Sequence, residues 1–295
     1  MKRFLFTALS LLLTTLAMAQ NAEPVVARVK YNFIHVRDTN KRSMPSIEDM
    51  ILMMGKSSSW YTSETRLKEK VAAMERDNEL IRNNGGVTNG VIFRAQKRTP
   101  TSMYDLYFFR AINKLYVGEW MINFYYTEED IPHINWEITK DTASFSGLQC
   151  QKAMALFKGR NWTAWFAPSI PFPNGPWKLN GLPGLIVEAY DSKKDVQFLF
   201  NGFETVNRES ASQTPKISGE MMDISEITNQ IKLPSKAIAI KTTKDEMQRL
   251  KMAYAEDPMG FAKTQLAGTP FGKLLENKPN MPRKVVFMNN PIELP

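Results

Sequence analysis

Apolar and polar positions alternate along much of this chain in short runs of period two, broken by turn residues. Residues 25–36 mix β-branched and aromatic side chains (Val25, Val26, Val29, Tyr31, Phe33, Ile34, Val36) and end at Arg37-Asp38-Thr39-Asn40, a strand and its stop. A strand over 50–54 turns at Gly55-Lys56 into another over 58–62, which predicts a hairpin. From Ser63 the period changes. Leu67, Val71, Met74 and Ile81 recur at helical spacing until Asn83-Asn84-Gly85-Gly86, predicting an amphipathic helix in the N-terminal third. Strand character returns over 104–110, 114–126, 134–140, 150–157 and 162–166, and again over 185–190 and 196–200 around the polar turn 191–195. The stretch 208–230 is polar and reads as loop with one short strand. A strand over 237–241 precedes Thr243-Lys244-Asp245-Glu246, a capping box that opens a second helix carrying Met247, Leu250 and Tyr254 and stopping at Pro258. So many short strands predict an α+β, β-rich chain built on a large, strongly curved antiparallel sheet.

The first residues do not fit that pattern. Lys2 and Arg3 precede an apolar run over 4–16, and Ala17-Met18-Ala19 forms a small-x-small cleavage site, so residues 1–19 read as a secretory signal peptide. The run is shorter than the roughly twenty residues a spanning helix needs, and no later segment reads as transmembrane. Residues 20–295 are then expected to form one domain, irregular from about 273, in a periplasm, outside the cell or on its surface. A single cysteine, Cys150, excludes an internal disulfide. The formal charge of +8 comes from scattered basic residues without an Arg/Lys stripe, which argues against a nucleic-acid partner.

Candidate chemistry is sparse. The chain lacks HExxH, paired CxxC, P-loop, GxSxG and dinucleotide-binding patterns, so no catalytic residues, cofactor or metal are assigned. The enzymatic arrangement that can be drawn from the residues is Cys150, or a carboxylate, acting with His35 or His133, and nothing local supports it. The densest constellation is aromatic: Trp162, Trp165, Phe166, Phe172 and Trp177 are interleaved with Pro168, Pro171, Pro173 and Pro176 and lead into Gly181-Leu182-Pro183-Gly184. Prolines stiffen such a loop, and Leu182-Pro183-Gly184-Leu185 fits a type II turn. Two readings stay open. Trp162, Trp165, Phe166, Trp177, Leu182 and Pro183 line the rim of an apolar ligand site, or the loop is stapled over the core by its tryptophans.

Gly181-Leu182-Pro183-Gly184-Leu185-Ile186 resembles the signature of the GLPGLI family of exported Bacteroidetes proteins. The resemblance extends to Tyr31-x-Phe33-x-His35-x-Arg37-Asp38-Thr39, Gly147-x-x-Cys150-x-Lys152-Ala153, Phe157-x-Gly159-Arg160, Gly175-Pro176-Trp177-Lys178 and Asn290-Pro291-Ile292-Glu293-Leu294. It implies no particular activity, since members are largely without an assigned one, and no catalytic residues carry over. At fold level the order of elements resembles LolA-type carriers, and also the bowl-like module of some glycan amidases, which implies a half-barrel or bowl. The function expected is a non-enzymatic envelope protein that binds an apolar or amphipathic ligand or a protein partner through the aromatic loop; a lipid, a glycan and an envelope protein are the partner classes. The alternatives are an envelope hydrolase acting on peptides or glycans, and a scaffold subunit of an outer-membrane assembly.

Overall fold

The computed structural model describes residues 22–85, 101–206, 229–235, 237–280, 282 and 288–294. The signal peptide read at 1–19 and nearly all of the 208–230 loop lie outside the described residues. The elements in chain order are β1 (Glu23–Pro24), β2 (Ala27–His35), β3 (Ser46–Met54), β4 (Ser58–Ser63), α1 (Glu64–Asn83), β5 (Tyr104–Phe109), β6 (Lys114–Met121) and β7 (Asn123–Asp130). They continue as β8 (Glu137–Phe145), β9 (Leu148–Phe157), β10 (Arg160–Ala167), β11 (Leu185–Asp191), β12 (Val196–Thr205), β13 (Gln230–Ile231) and β14 (Ala239–Lys241), then α2 (Lys244–Glu256), α3 (Pro258–Gln265) and α4 (Pro270–Leu275).

Twelve of the strands form one sheet in the order β14-β7-β6-β5-β4-β3-β2-β12-β11-β10-β9-β8, antiparallel throughout except where β14 runs parallel to β7. β1 and β13 make a separate two-stranded ribbon. The chain meanders outward from β2 to β7, then starts again at the far edge with β8 and meanders back until β12 pairs with β2. That connection forces curvature. Laid flat, β7 and β8 would stand ten strand spacings apart, about 48 Å, whereas the link 131–136 reaches at most about 25 Å. The sheet therefore curls until its edges approach, and it does not close. Both β7 and β8 are antiparallel to β2 in direction, so the link must run back along the seam between them. Ile134 is buried there in the main core.

The two meanders differ in how they are covered. β3 and β5 bury both faces: Met50, Leu52, Met54, Leu106 and Phe108 face the main core, while Ile51, Met53, Tyr107 and Phe109 join Val25, Trp60, Leu67 of α1 and Ile231 of β13 in a second one. β10 and β12 alternate buried with accessible positions instead, as expected for one wet face. Helix α1 is capped by Ser63, whose hydroxyl accepts from Arg66 N, and Arg66 ties it to the sheet through the buried carboxylate of Asp105. Asp105 also accepts from Trp120 Nε1 at 2.7 Å.

Three local expectations change. The run 114–126 is two strands, reversed at Ile122, whose φ of 72° is an unusual left-handed setting for a β-branched residue and carries no sequence signal for a turn. Pro258 ends α2 and at once begins α3 as its first residue, with Asp257 Oδ1 accepting from Gly260 N. In the capping box Thr243 accepts from Glu246 N, while the Glu246 carboxylate pairs with Arg249. Among the described residues no helix is long and apolar enough to cross a membrane.

Gly118 on β6 shows how tightly the second core is filled. A Cβ there would lie 1.9 Å from the ring of Phe124, which is itself wholly buried. Gly118→Ala is expected to cost about 1–3 kcal/mol through overpacking. A denaturant midpoint unchanged from wild type would contradict the packing described.

Candidate functional site

The loop 168–184 leaves β10 and returns as β11, and its course is set by backbone bonds to both strands. Leu185 N donates to Ile170 O at 3.0 Å and Ile186 N to Asn174 O at 2.9 Å. Residues 174–180 are buried without a break, including Lys178 and Asn180. Asn174 Nδ2 donates to Ser59 Oγ on β4 at 2.8 Å, and Arg110 Nη2 to Pro173 O at 2.5 Å. The loop thus reaches from the second meander to the first. It also backs the seam: Trp136 Nε1 donates to Asn180 O at 2.8 Å and Asn180 Nδ2 to Pro132 O at 3.1 Å. Trp177, held at φ 53°, sits with its ring centroid 5.8 Å from both Phe157 and Trp162, and Trp162 stacks in turn on Phe198.

Four of the six aromatic-loop candidates, Trp162, Phe166, Trp177 and Leu182, lie in the main core. Trp165 is half-buried against Phe145, and Pro183 is exposed. This is the geometry of a loop stapled over the core, and it leaves Pro183 exposed and Trp165 partly accessible at the edge of that core. The turn at Pro183 is not type II. Gly184 has φ 158° instead of about 80°, its N–H bonds Leu182 O, and the N–H of Leu185 goes to Ile170.

The polar centre of the molecule lies elsewhere, where β2, β10 and β11 meet the segment 288–294. Arg160 and Asp191 are both buried and joined at 2.6 Å. The other oxygen of Asp191 accepts from Asp195 N and Val196 N, closing the β11–β12 turn. Arg160 spends its remaining donors on the 288–294 segment: Nη2 to Asn290 Oδ1 at 2.7 Å and Pro291 O at 2.6 Å, Nε to Ile292 O at 2.8 Å. His35 Nε2 lies 2.8 Å from Asn290 O, and Asn290 Nδ2 donates to Val36 O at 2.6 Å. Beside this, Lys178 pairs with Glu129 at 2.8 Å and Glu293 at 2.7 Å. Residues 35–36, 160, 178 and 290–293, each in a separate motif, therefore converge, joined by Asp191 and Glu129. Arg160, Asp191, Lys178 and Asn290 were not candidates from sequence. The available signal was a charged residue directly after the Lys158-Gly159 turn and facing an apolar strand.

His35 is held neutral. Burial pulls its pKa down to about 4, Arg37 and Arg160 pull the same way, and the bond to Asn290 and the Asp191 charge oppose them. In its neutral form the Nε2–H tautomer is the one that can donate to Asn290 O. The folded pKa lies below the unfolded value near 6.5, so the unfolded chain binds the proton first as pH falls. Stability from this group is complete above about pH 6.5 and is lost between pH 6.5 and 4, on the order of 3 kcal/mol in all. Unfolding curves across that range are expected to show the loss, and His35→Gln is expected to flatten it; a variant with an unchanged pH profile would remove the assignment.

Cys150 is buried and its thiol is held in the protonated form. Burial, and after it the Glu188 carboxylate, push the thiol up to about 11, and Sγ donates to Leu148 O. His133 is exposed on the seam link. Among the described residues no three His, Cys, Asp or Glu side chains gather in a way that would hold a metal ion.

Comparison with known proteins adds a family likeness and little chemistry. Residues 134–188 match the model of a family described as protein of unknown function (Porph_ging). That span runs from the seam link through the buried loop into β11. No curated protein matches. The solved structure of PNGF-II in space group P21 is similar over 76% of this chain at 10% identity with a TM-score of 0.49, and the one in space group C2 over 76% at 9% identity with a TM-score of 0.47. This chain spans 32% of the length of each.

Proposed function

We propose that this is an exported, non-enzymatic binding protein of the GLPGLI type, acting in the cell envelope or outside the cell on a protein partner held at its surface. The observation that carries this reading is the filled interior. The concave side of the sheet is occupied by the chain's own residues 174–180, which leaves the outer surface for recognition. A row of side chains in one register, Ile47, Ile34, Gln197, Tyr190, Thr163 and Met154, crosses six strands on the accessible face. Groups that a hydrolase would use are held in resting forms: a thiol at about 11 and an imidazole at about 4.

A photoreactive residue placed at Thr163 in the producing cell tests this directly. A discrete cross-linked protein is expected, absent when the same residue replaces Lys68 on α1. Native mass spectrometry of residues 20–295, purified without detergent, is expected to show the bare protein mass. A stoichiometric lipid adduct would overturn the filled-interior argument and restore the carrier reading, and rapid labelling of Cys150 in the native protein would revive the hydrolase.

A further inference from the structure

The segment 288–294 is held as a peptide ligand is held. It contributes no strand to either sheet, and the body grips it by both its backbone and its side chains. The carbonyls of Asn290, Pro291 and Ile292 are met by His35 and Arg160, while Asn290 N donates to Arg37 O at 3.3 Å and Leu294 N to Lys158 O at 3.1 Å. Three side chains are read. Asn289 Oδ1 accepts from Thr39 N at 2.9 Å and its Nδ2 donates to Asp38 Oδ1 at 3.3 Å. The Asn290 amide is buried between Arg160 and Val36 O, and the Glu293 carboxylate bridges Lys178 at 2.7 Å and Lys158 at 3.2 Å. Pro291 is accessible and lacks an N–H that would need a partner. The receiving groups stand on strand ends and a hairpin turn, and Arg160 is fixed in place by Asp191. Main-chain bonds that supply affinity, with a few side-chain pockets that supply specificity, are the arrangement by which folded domains recognise extended peptides, and preorganised receptor groups favour it.

We infer that the groove formed by the end of β2, the β9–β10 turn and Lys178 is a peptide-recognition site for an extended Asn-Pro-apolar-acidic segment, filled in this structure by the chain's own Asn290–Glu293. This rests on the reading of the chain as a binding protein and names one class of ligand: a segment of a partner protein with that pattern, for which the resident segment is a competitor. Lys158 and Lys178 both meet the resident Glu293, so a partner segment lacking an acidic residue three positions after the Asn is disfavoured.

The test keeps the whole chain. A site-specific protease sequence inserted after Asn280 lets the folded protein be cut and its distal fragment left in place. A fluorescent peptide spanning Met288 to Leu294 is then expected to enter the cut protein saturably, by anisotropy, while circular dichroism of the body stays unchanged. Peptides carrying Asn290→Ala or Glu293→Lys are expected to compete at least about tenfold less well, since each loses bonds to a charged partner. Two results would overturn the inference: no exchange at peptide excess with the body folded, or unfolding of the body as the fragment leaves. If exchange fails while the Thr163 cross-link persists, the peptide groove is removed and the binding-protein reading stands. The reverse pattern removes the surface assignment at Thr163 alone.

Discussion

Gly184→Ala is expected to destabilise the protein by about 3 kcal/mol or more, close to abolishing the fold. A Cβ at this position would lie 2.3 Å from the carbonyl oxygen of Ala167 and 2.9 Å from Cα of Pro168. Both are backbone atoms of the strand end beside which β11 must start, so no side chain can swing away to make room. Gly181, three residues earlier in the same motif, serves a different purpose. Its φ is +90°, and a Cβ there would meet nothing within 4 Å, so Gly181→Ala is expected to cost only the conformational penalty, about 1–2 kcal/mol. Urea unfolding of the two variants side by side separates these causes. Equal losses would mean that the motif's glycines act through backbone conformation alone and that the close approach of β10 and β11 is not what demands Gly184.

Arg160→Met is the second large effect, at about 3–5 kcal/mol, because it leaves the buried carboxylate of Asp191 without its counter-charge. The three acceptors on Asn290, Pro291 and Ile292 lose their donor at the same time. The same substitution in an Asp191→Asn background is expected to cost less by about 1–3 kcal/mol, the coupling of two groups in contact. Hydrogen exchange provides a local readout: the amides of Asn290 and Leu294 are expected to lose protection in Arg160→Met while those of β3 and β5 keep theirs. Uniform loss across the sheet would mean that Arg160 supports the whole core and not the 288–294 segment in particular.

Much of the sheet was legible because its signals are local. The hairpin at Gly55-Lys56 and the one around 191–195 have turn residues between runs of alternating side chains, and both are present as β3–β4 and β11–β12. The cap at Thr243 could be read because a hydroxyl placed three residues before a free amide has one obvious bond to make. Ile122 was missed for the converse reason. Met121-Ile122-Asn123 offers no glycine or proline, and the left-handed turn there is imposed by the pairing of β6 with β7.

The aromatic loop marks where local reading stops. Its prolines and glycines announced a rigid crossing segment, and the crossing is buried over 174–180 and bonded to both meanders. Whether its tryptophans face a ligand or a core depends on residues such as Ser59 and Pro132, which lie 115 and 48 positions from the loop residues they bond and reach them only because the sheet curls. The same holds for Arg160, His35 and Asn290, which are ordinary singly and become one buried network only after β12 has paired with β2. By itself the sequence determined most of the strands, the first long helix and the start of the second, because those follow from each residue and its neighbours along the chain. Tertiary structure alone decided the curl, the burial of the loop and the capture of residues 288–294, because which groups lose water is set by surfaces that meet across the fold.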